Sequence, residues 1–220
     1  MPSKARQAFD RSAEDVERLL EIHEDLGGDA RGRRYRLEVL NKSAIVLITA
    51  IWEGYCEDIA AEALDHLVNH VPNASALPKE LKKRIAKEIK ADLNEIAIWD
   101  LADAGWKTKV KARLAALTEE RNRKLNTPKS DSIDELFREA IGLPTVSDAW
   151  SWTRMTPDTA KKKLDGYVTL RGAIAHRGKG ARSCKKAQVE DYFDHVKRLV
   201  AKTGGKVNRF VHDVTGARLW

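Results

Sequence analysis

The chain has 220 residues, enough for one domain with a sizeable core, and its 42% hydrophobic and 33% charged residues exclude an intrinsically disordered protein. With 13 Gly and only 6 Pro, collagen-like and Pro-rich architectures are also excluded. Forty Lys and Arg against 33 Asp and Glu give a net charge of +7, a moderate excess that permits a polyanionic partner without requiring one. The two cysteines, Cys56 and Cys184, are too far apart in sequence to suggest a disulfide framework or a CxxC zinc pair, which suits a reducing compartment. The first twenty residues contain no apolar signal-peptide core. The longest apolar run, Ala44 to Trp52, is interrupted only by Thr49 and falls short of the ~20 residues that span a bilayer. A soluble cytoplasmic protein with no membrane partner is the expectation.

Helical periodicity dominates, and no segment alternates long enough to read as a strand. A first helix is predicted from about Ser3 to Leu26, with Val16, Leu19, Leu20 and His23 on its apolar side and Gly27-Gly28 ending it. A second runs from near Arg34 to about Val71, where Pro72 stops it. Its centre, AIVLITAIW, is apolar on nearly all sides and should form the buried axis, with Trp52 in the core. Leu77 to Gly105 reads as a charged third helix whose stripe is Leu81, Ile85, Ile89, Leu93 and Ile96. Trp106 to Leu125 reads as a mobile helical arm. After the loop NTPKSDS, Asp131 or Ser132 caps a short helix closed by Gly142 and Pro144. Thr156 as N-cap with Pro157 at the first position opens the next helix, which extends to about His176. The last begins near Ala187, and Gly204-Gly205 is a place for a kink or break. The fold class is an all-α helical bundle, one domain over 1–220 with a charged helical insertion over 78–126.

The segment that carries chemistry is LRGAIAHRGKG, Leu170 to Gly180. Arg171 and His176 stand five residues apart at a helix end, about 140° apart on an ideal helix. If the helix ends between them, Gly172, Gly178 and Gly180 let the last turn unwind and swing His176 towards Arg171. Read from the residues alone, the pair is first of all two cations answering the helix dipole. The following loop holds Arg177, Lys179, Arg182, Lys185 and Lys186 with no acid from Arg177 to Lys186, and reads either as a phosphate-binding loop or as a solvated one.

Arg-x4-His followed by Arg-Gly resembles the catalytic motif of the HEPN superfamily of RNA-cleaving helical domains. Three further segments are similar to the RiboL-PSP-HEPN group: WEGYCEDI at Trp52 to Ile59, SIDELFREAIGLPTVSDAWSW at Ser132 to Trp152, and the tail HDVTGARLW. The resemblance implies a HEPN-like bundle and metal-independent RNA cleavage, with no cofactor and no metal. It implies a homodimer that brings two Arg-x4-His motifs into one cleft. The implied catalytic residues are Arg171 and His176, with Glu53 of the Trp-Glu segment orienting one of them, although Glu53 also reads as a polar residue at a helix seam. RNA is the implied substrate, bound beside the cleft by the basic loop. A toxin or phage-defence role, with an inhibitor or antitoxin as partner, is implied as well. Gly172 departs from the polar residue that many members carry after the Arg, which leaves open a non-catalytic module that binds RNA, a nucleotide or a protein. The Tyr found after the His in toxins silenced by nucleotide transfer is absent here.

Three other features have blander readings. His66 and His70 have metal-ligand spacing but no HExxH glutamate, and read as a polar helix end. His195 and His212 have no evident partners and read as partly exposed. The six Trp residues read as core or dimer contacts rather than base-stacking platforms.

Overall fold

A helix that is apolar on nearly every side must be wrapped by others, and in the computed structural model α2 (Glu38–His70) is that helix. The structure describes residues 2–27, 37–112, 127–177 and 183–220. Around α2 stand α1 (Lys4–Gly27), α5 (Ser130–Ile141), α6 (Pro157–Arg177) and α7 (Lys186–Thr215). Two further helices, α3 (Lys79–Lys90) and α4 (105–112), lie to the side, with α3 on α5. No β-strand occurs among the described residues; Trp152 and Met155 form one isolated bridge. The fold is all-α.

Polar contacts fix the directions. The Glu62 carboxylate of α2 accepts the Lys4 and Ala5 N–H groups at 3.3 and 3.1 Å, so α1 starts where α2 nears its end and runs antiparallel to it. The Asn41 amide donates to the Cys184 carbonyl at 3.0 Å, and Tyr192 and Thr49 share a hydrogen bond at 3.1 Å. The Tyr55 hydroxyl donates to the Val200 carbonyl at 3.0 Å. These pairs ascend together, so α7 runs parallel to α2. The His195 ring meets the Ala160 carbonyl at 3.1 Å and Tyr167 donates to Asp191 at 2.7 Å, which sets α6 antiparallel to α7. Trp52, fully buried, lies edge-on to Trp150 at 5.8 Å and donates to the Pro128 carbonyl at 3.3 Å.

Several expectations are corrected. The charged third helix stops at Lys90 instead of reaching Gly105. Asp92 and Asn94 turn the chain by accepting the N–H groups of Asn94 and Ile96 at 3.0 and 3.2 Å, a local competition that short polar side chains win over helix. Leu93 and Ile96 therefore leave the apolar stripe, Leu93 being 99% exposed, while Leu81 and Ile85 stay buried. The expected mobile arm begins as α4, anchored by buried Trp106 and Val110; its remainder, 113–126, lies outside the described residues, as does the predicted start of α2 at Arg34. Gly204-Gly205 neither kinks nor breaks α7, which continues to Thr215. Gly204 answers packing: a Cβ there would lie 2.7 Å from the Tyr55 hydroxyl oxygen.

Helix ends follow local rules at some places and tertiary ones at others. Thr156 caps α6 as expected, accepting the Thr159 N–H at 3.3 Å. Gly142 ends α5 with φ +77°, and a Cβ there would press on Pro78 at 2.9 Å. The start of α5 is capped by neither Asp131 nor Ser132. Asp165 of α6 accepts the Ser130 N–H at 2.8 Å and the Ser130 hydroxyl at 2.9 Å. Because Ser130 is buried, removing that carboxylate strips two polar groups of their partner. Asp165→Ala is expected to lower the unfolding free energy by about 2 kcal/mol, read as a drop in the urea midpoint, with Asp165→Asn intermediate. Equal midpoints for the three proteins would refute the tertiary cap.

Candidate functional site

Two turns of α6 carry the Arg-x4-His motif. Arg171 is half-buried and His176 is exposed, in the last turn beside exposed Arg177. The helix does not end between them; it continues to Arg177. The two side chains therefore keep their helical separation of about 140° and about 7.5 Å of rise. They do not converge within one chain. The unwinding that would have swung His176 to Arg171 does not occur.

Arg171 faces α2 and α7. Its charge acts on Glu53 of α2 and on the buried Tyr192 of α7. Tyr192 stacks on Tyr167, one turn before Arg171 on α6, with ring centroids 4.2 Å apart. Tyr167 is anchored in turn, donating to Asp191, which also takes Lys163 at 2.6 Å. A hydrogen-bonded pair of stacked tyrosines thus lies within electrostatic reach of Arg171. Glu53 is half-buried and has Glu57 one turn on. Burial, and then the Glu57 charge, push the Glu53 carboxyl up to about 7, against the pull of Arg171. A carboxyl poised there can hold or release a proton near neutrality, and when ionised it can orient the arginine.

The structure puts Glu53 within electrostatic reach of Arg171, and helix geometry keeps His176 turned away from that arginine. Glu57 and the Tyr167–Tyr192 stack were missed in the sequence. Glu57 had a readable signal, four residues after Glu53 on one helix face. Tyr192 had none, because only the packing of α7 on α6 brings it there.

The basic loop divides. Lys179 and Arg182 lie outside the described residues. Lys185 is exposed at the start of α7, its N–H donating to the Gln188 side chain at 3.0 Å. Lys186 is engaged in ion pairs with Glu24 of α1 and with Glu190 at 3.3 Å. A phosphate at Lys186 would have to compete with two carboxylates.

The remaining histidines separate. His66 and His70 stack at 3.8 Å, with His70 Nδ1 bonded to the His66 carbonyl at 2.9 Å. Among the described residues no group of three or more His, Cys, Asp or Glu side chains is placed to hold a metal ion. His195, expected to be partly exposed, is buried against Trp152 at 5.5 Å, and burial pulls its pKa down to about 4. Trp99 is 75% exposed, unlike the buried Trp52, Trp106 and Trp150. No helix among the described residues is long and apolar enough to cross a membrane.

The Glu53 shift has a testable sign. Its folded pKa of about 7 lies above the ordinary 4.5, so the folded state binds the proton more tightly and the ionised carboxyl destabilises the fold at higher pH. Glu53→Gln is expected to be more stable than wild type above pH 7, with the advantage shrinking as the pH falls towards 4.5. Urea unfolding of both proteins across this range checks it, and a pH-independent difference would refute it.

No curated protein and no solved structure matches the chain significantly. A family model, RiboL-PSP-HEPN, matches residues 10–208, which include Glu53, Arg171 and His176 but not the HDVTGARLW tail. With nearly all of the bundle inside that match, the chain belongs to the RiboL-PSP-HEPN family, a group of all-α HEPN-type domains.

Proposed function

We propose that the protein is a metal-independent endoribonuclease that works as a homodimer. The observation that carries this reading is the arrangement on α6 of a RiboL-PSP-HEPN chain: a half-buried Arg171 in the field of Glu53, and an exposed His176 at the same helix end. One chain offers one imidazole, and the helix turns it away from Arg171. A second copy supplies the missing convergence, placing two arginines and two histidines in one cleft.

In that cleft one His176 takes the proton from a ribose 2′-OH. The oxygen attacks the adjacent phosphorus, and the bond to the 5′ oxygen breaks. The second His176 returns a proton to the leaving 5′ oxygen. The Arg171 fork binds the non-bridging oxygens as their charge grows. Glu53, and Glu57 through it, hold Arg171 in place between turnovers. The products are a 2′,3′-cyclic phosphate and a 5′-OH. Arg177, Lys179, Arg182 and Lys185 extend phosphate binding from the cleft, and Lys186 joins them only if it leaves Glu24 and Glu190. A cytoplasmic toxin or phage-defence effector, held in check by an inhibitor, is the biological setting this chemistry suits.

Gly172 favours a second reading. A Cβ at that position would meet nothing within 4 Å, so packing does not call for glycine. The chain simply lacks a polar side chain directly after Arg171, as a non-catalytic module binding RNA, a nucleotide or a protein would.

Cleavage of pooled RNA in EDTA separates the two. The ribonuclease is expected to yield cyclic phosphates. Arg171→Ala should lower the rate by ~10²–10³-fold and His176→Ala by ~10²–10⁴-fold. Gly172→Asn, which has room, should leave or raise activity. A folded dimer that cleaves none of the RNA pool, with Gly172→Asn equally inert, would favour the binding module.

A further inference from the structure

The C-terminal half of α7 carries a second basic surface. From His195 to His212 the helix has no acidic residue and five cations, Lys197, Arg198, Lys202, Lys206 and Arg209. Lys197 is engaged with Asp194 at 3.2 Å and lies over the Phe193 ring. The other four, with Gly205 among them, fall within one stripe about 100° wide. Arg198, Lys202 and Arg209 are exposed and Lys206 is half-buried. None of the four is in an ion pair among the described residues. Asp148, the carboxylate that feels Lys206, is already held by the Thr145 hydroxyl at 2.7 Å and by Lys161 at 3.3 Å. Arg198, Lys202 and Lys206 follow one another at steps of about 6 Å along the axis. That step suits successive phosphates of an extended strand.

Alongside the stripe, sharing Gly205 with it, lies a cavity of about 440 Å³. Its walls include Ala201, Gly204 and Asn208 of α7, Arg6 of α1, and Trp220. The Trp220 indole stands over Gly204, 3.6 Å from where a Cβ would be, and the space at Gly205 is open. The volume is that of a small-molecule site and admits a nucleobase. At the other end of the stripe the Arg198 guanidinium lies 5.9 Å from the ring of half-buried Trp152. Cations in line with aromatic surfaces beside them are the combination that binds single-stranded nucleic acid. A membrane surface fits less well, because the apolar face of α7, including Leu199, Val200, Val207 and Val211, is buried in the core and has nothing to insert.

We propose that this stripe and groove bind single-stranded RNA, with phosphates on Arg198, Lys202, Lys206 and Arg209 and one base in the groove against Trp220. The site takes from the proposed function only that RNA is the ligand; it does not need Arg171 and His176 to be catalytic. Arg209 and Trp220 lie beyond the residues matched by the family model.

The test is fluorescence anisotropy with a fluorescein-labelled single-stranded RNA over a salt series, in a His176→Ala background so that the probe survives. Replacing Arg198, Lys202, Lys206 and Arg209 together by Gln should weaken binding at least roughly tenfold and reduce the slope of log affinity against log salt by about 3. Lys202→Gln alone should reduce the slope by about 0.7. Trp220→Leu should weaken binding roughly tenfold with the slope unchanged. Circular dichroism verifies that each variant is folded. Wild-type affinity and slope in the fourfold variant would overturn the proposal. So would no RNA binding by the parent protein, with or without capture by phosphatidylserine vesicles. RNA held through the stripe by a protein that cleaves none would defeat the ribonuclease reading and leave this site standing. Cleavage by the wild type, with unchanged binding in the fourfold variant, would do the reverse.

Discussion

The close approach of Tyr55 to α7 at Gly204 governs the packing of the bundle. The Tyr55 hydroxyl donates to the Val200 carbonyl within the body of a continuous helix, and only glycine at 204 leaves room for it. The same ring stacks on Trp52 at 6.3 Å and meets Phe9 of α1 edge-on at 5.8 Å. One side chain thereby joins α1, α2 and α7. Apolar burial alone would let α2 slide or rotate among its neighbours, since each buried aliphatic contributes roughly 1.5–3 kcal/mol wherever it is buried. Buried hydrogen bonds do not tolerate a slip, because an unpaired group in the core costs about as much as a core side chain contributes. The Asn41, Thr49 and Tyr55 contacts therefore set the register of α7 on α2.

That register positions the site. With α7 parallel to α2 and α6 antiparallel to both, the second half of α6 brings Arg171 within electrostatic reach of Glu53 and of Tyr192. Half-buried Arg171 feels a carboxyl that is costly to ionise and acts on a buried tyrosine. His176, only five residues on, reaches solvent. The bundle gives the two motif residues different environments on one rigid helix, and it leaves their union to a second chain. The same register leaves one face of the far half of α7 towards solvent, beyond the point where α6 begins, and there the cations outside ion pairs lie.

Carboxylates do much of the joining between elements. Glu62 caps α1, Asp165 caps α5, and Asp134 accepts the Val146 and Ser147 N–H groups at 2.8 and 2.9 Å. Each satisfies helix-end or turn donors from another segment of chain. The basic excess of the protein is consequently uneven. Some cations, such as Lys186, are bound to acids at helix seams, while those on α7 from Arg198 to Arg209 face solvent without such pairing.

The amino-acid sequence by itself determined that the chain is helical, that AIVLITAIW lies at the centre, and that Thr156-Pro157 and Gly142 bound their helices. Each of these depends on periodicity or on a local backbone preference, which neighbours in sequence suffice to express. It also singled out Glu53, Arg171 and His176, because helix spacing and a family resemblance are carried in short segments. Tertiary structure alone decided the rest. The Asp165 cap, the space that demands Gly204, the burial of His195 and the Tyr167–Tyr192 stack join residues far apart in the chain, so no local pattern encodes them. The end of the third helix at Lys90 lies between the two. Its Asp-Leu-Asn signal was present in the sequence, but a continuing apolar period masked it until the turn placed Leu93 in solvent. A stripe of cations is visible in sequence as composition. Whether those charges are paired is a matter of which acids the fold brings within reach, and that only packing decides.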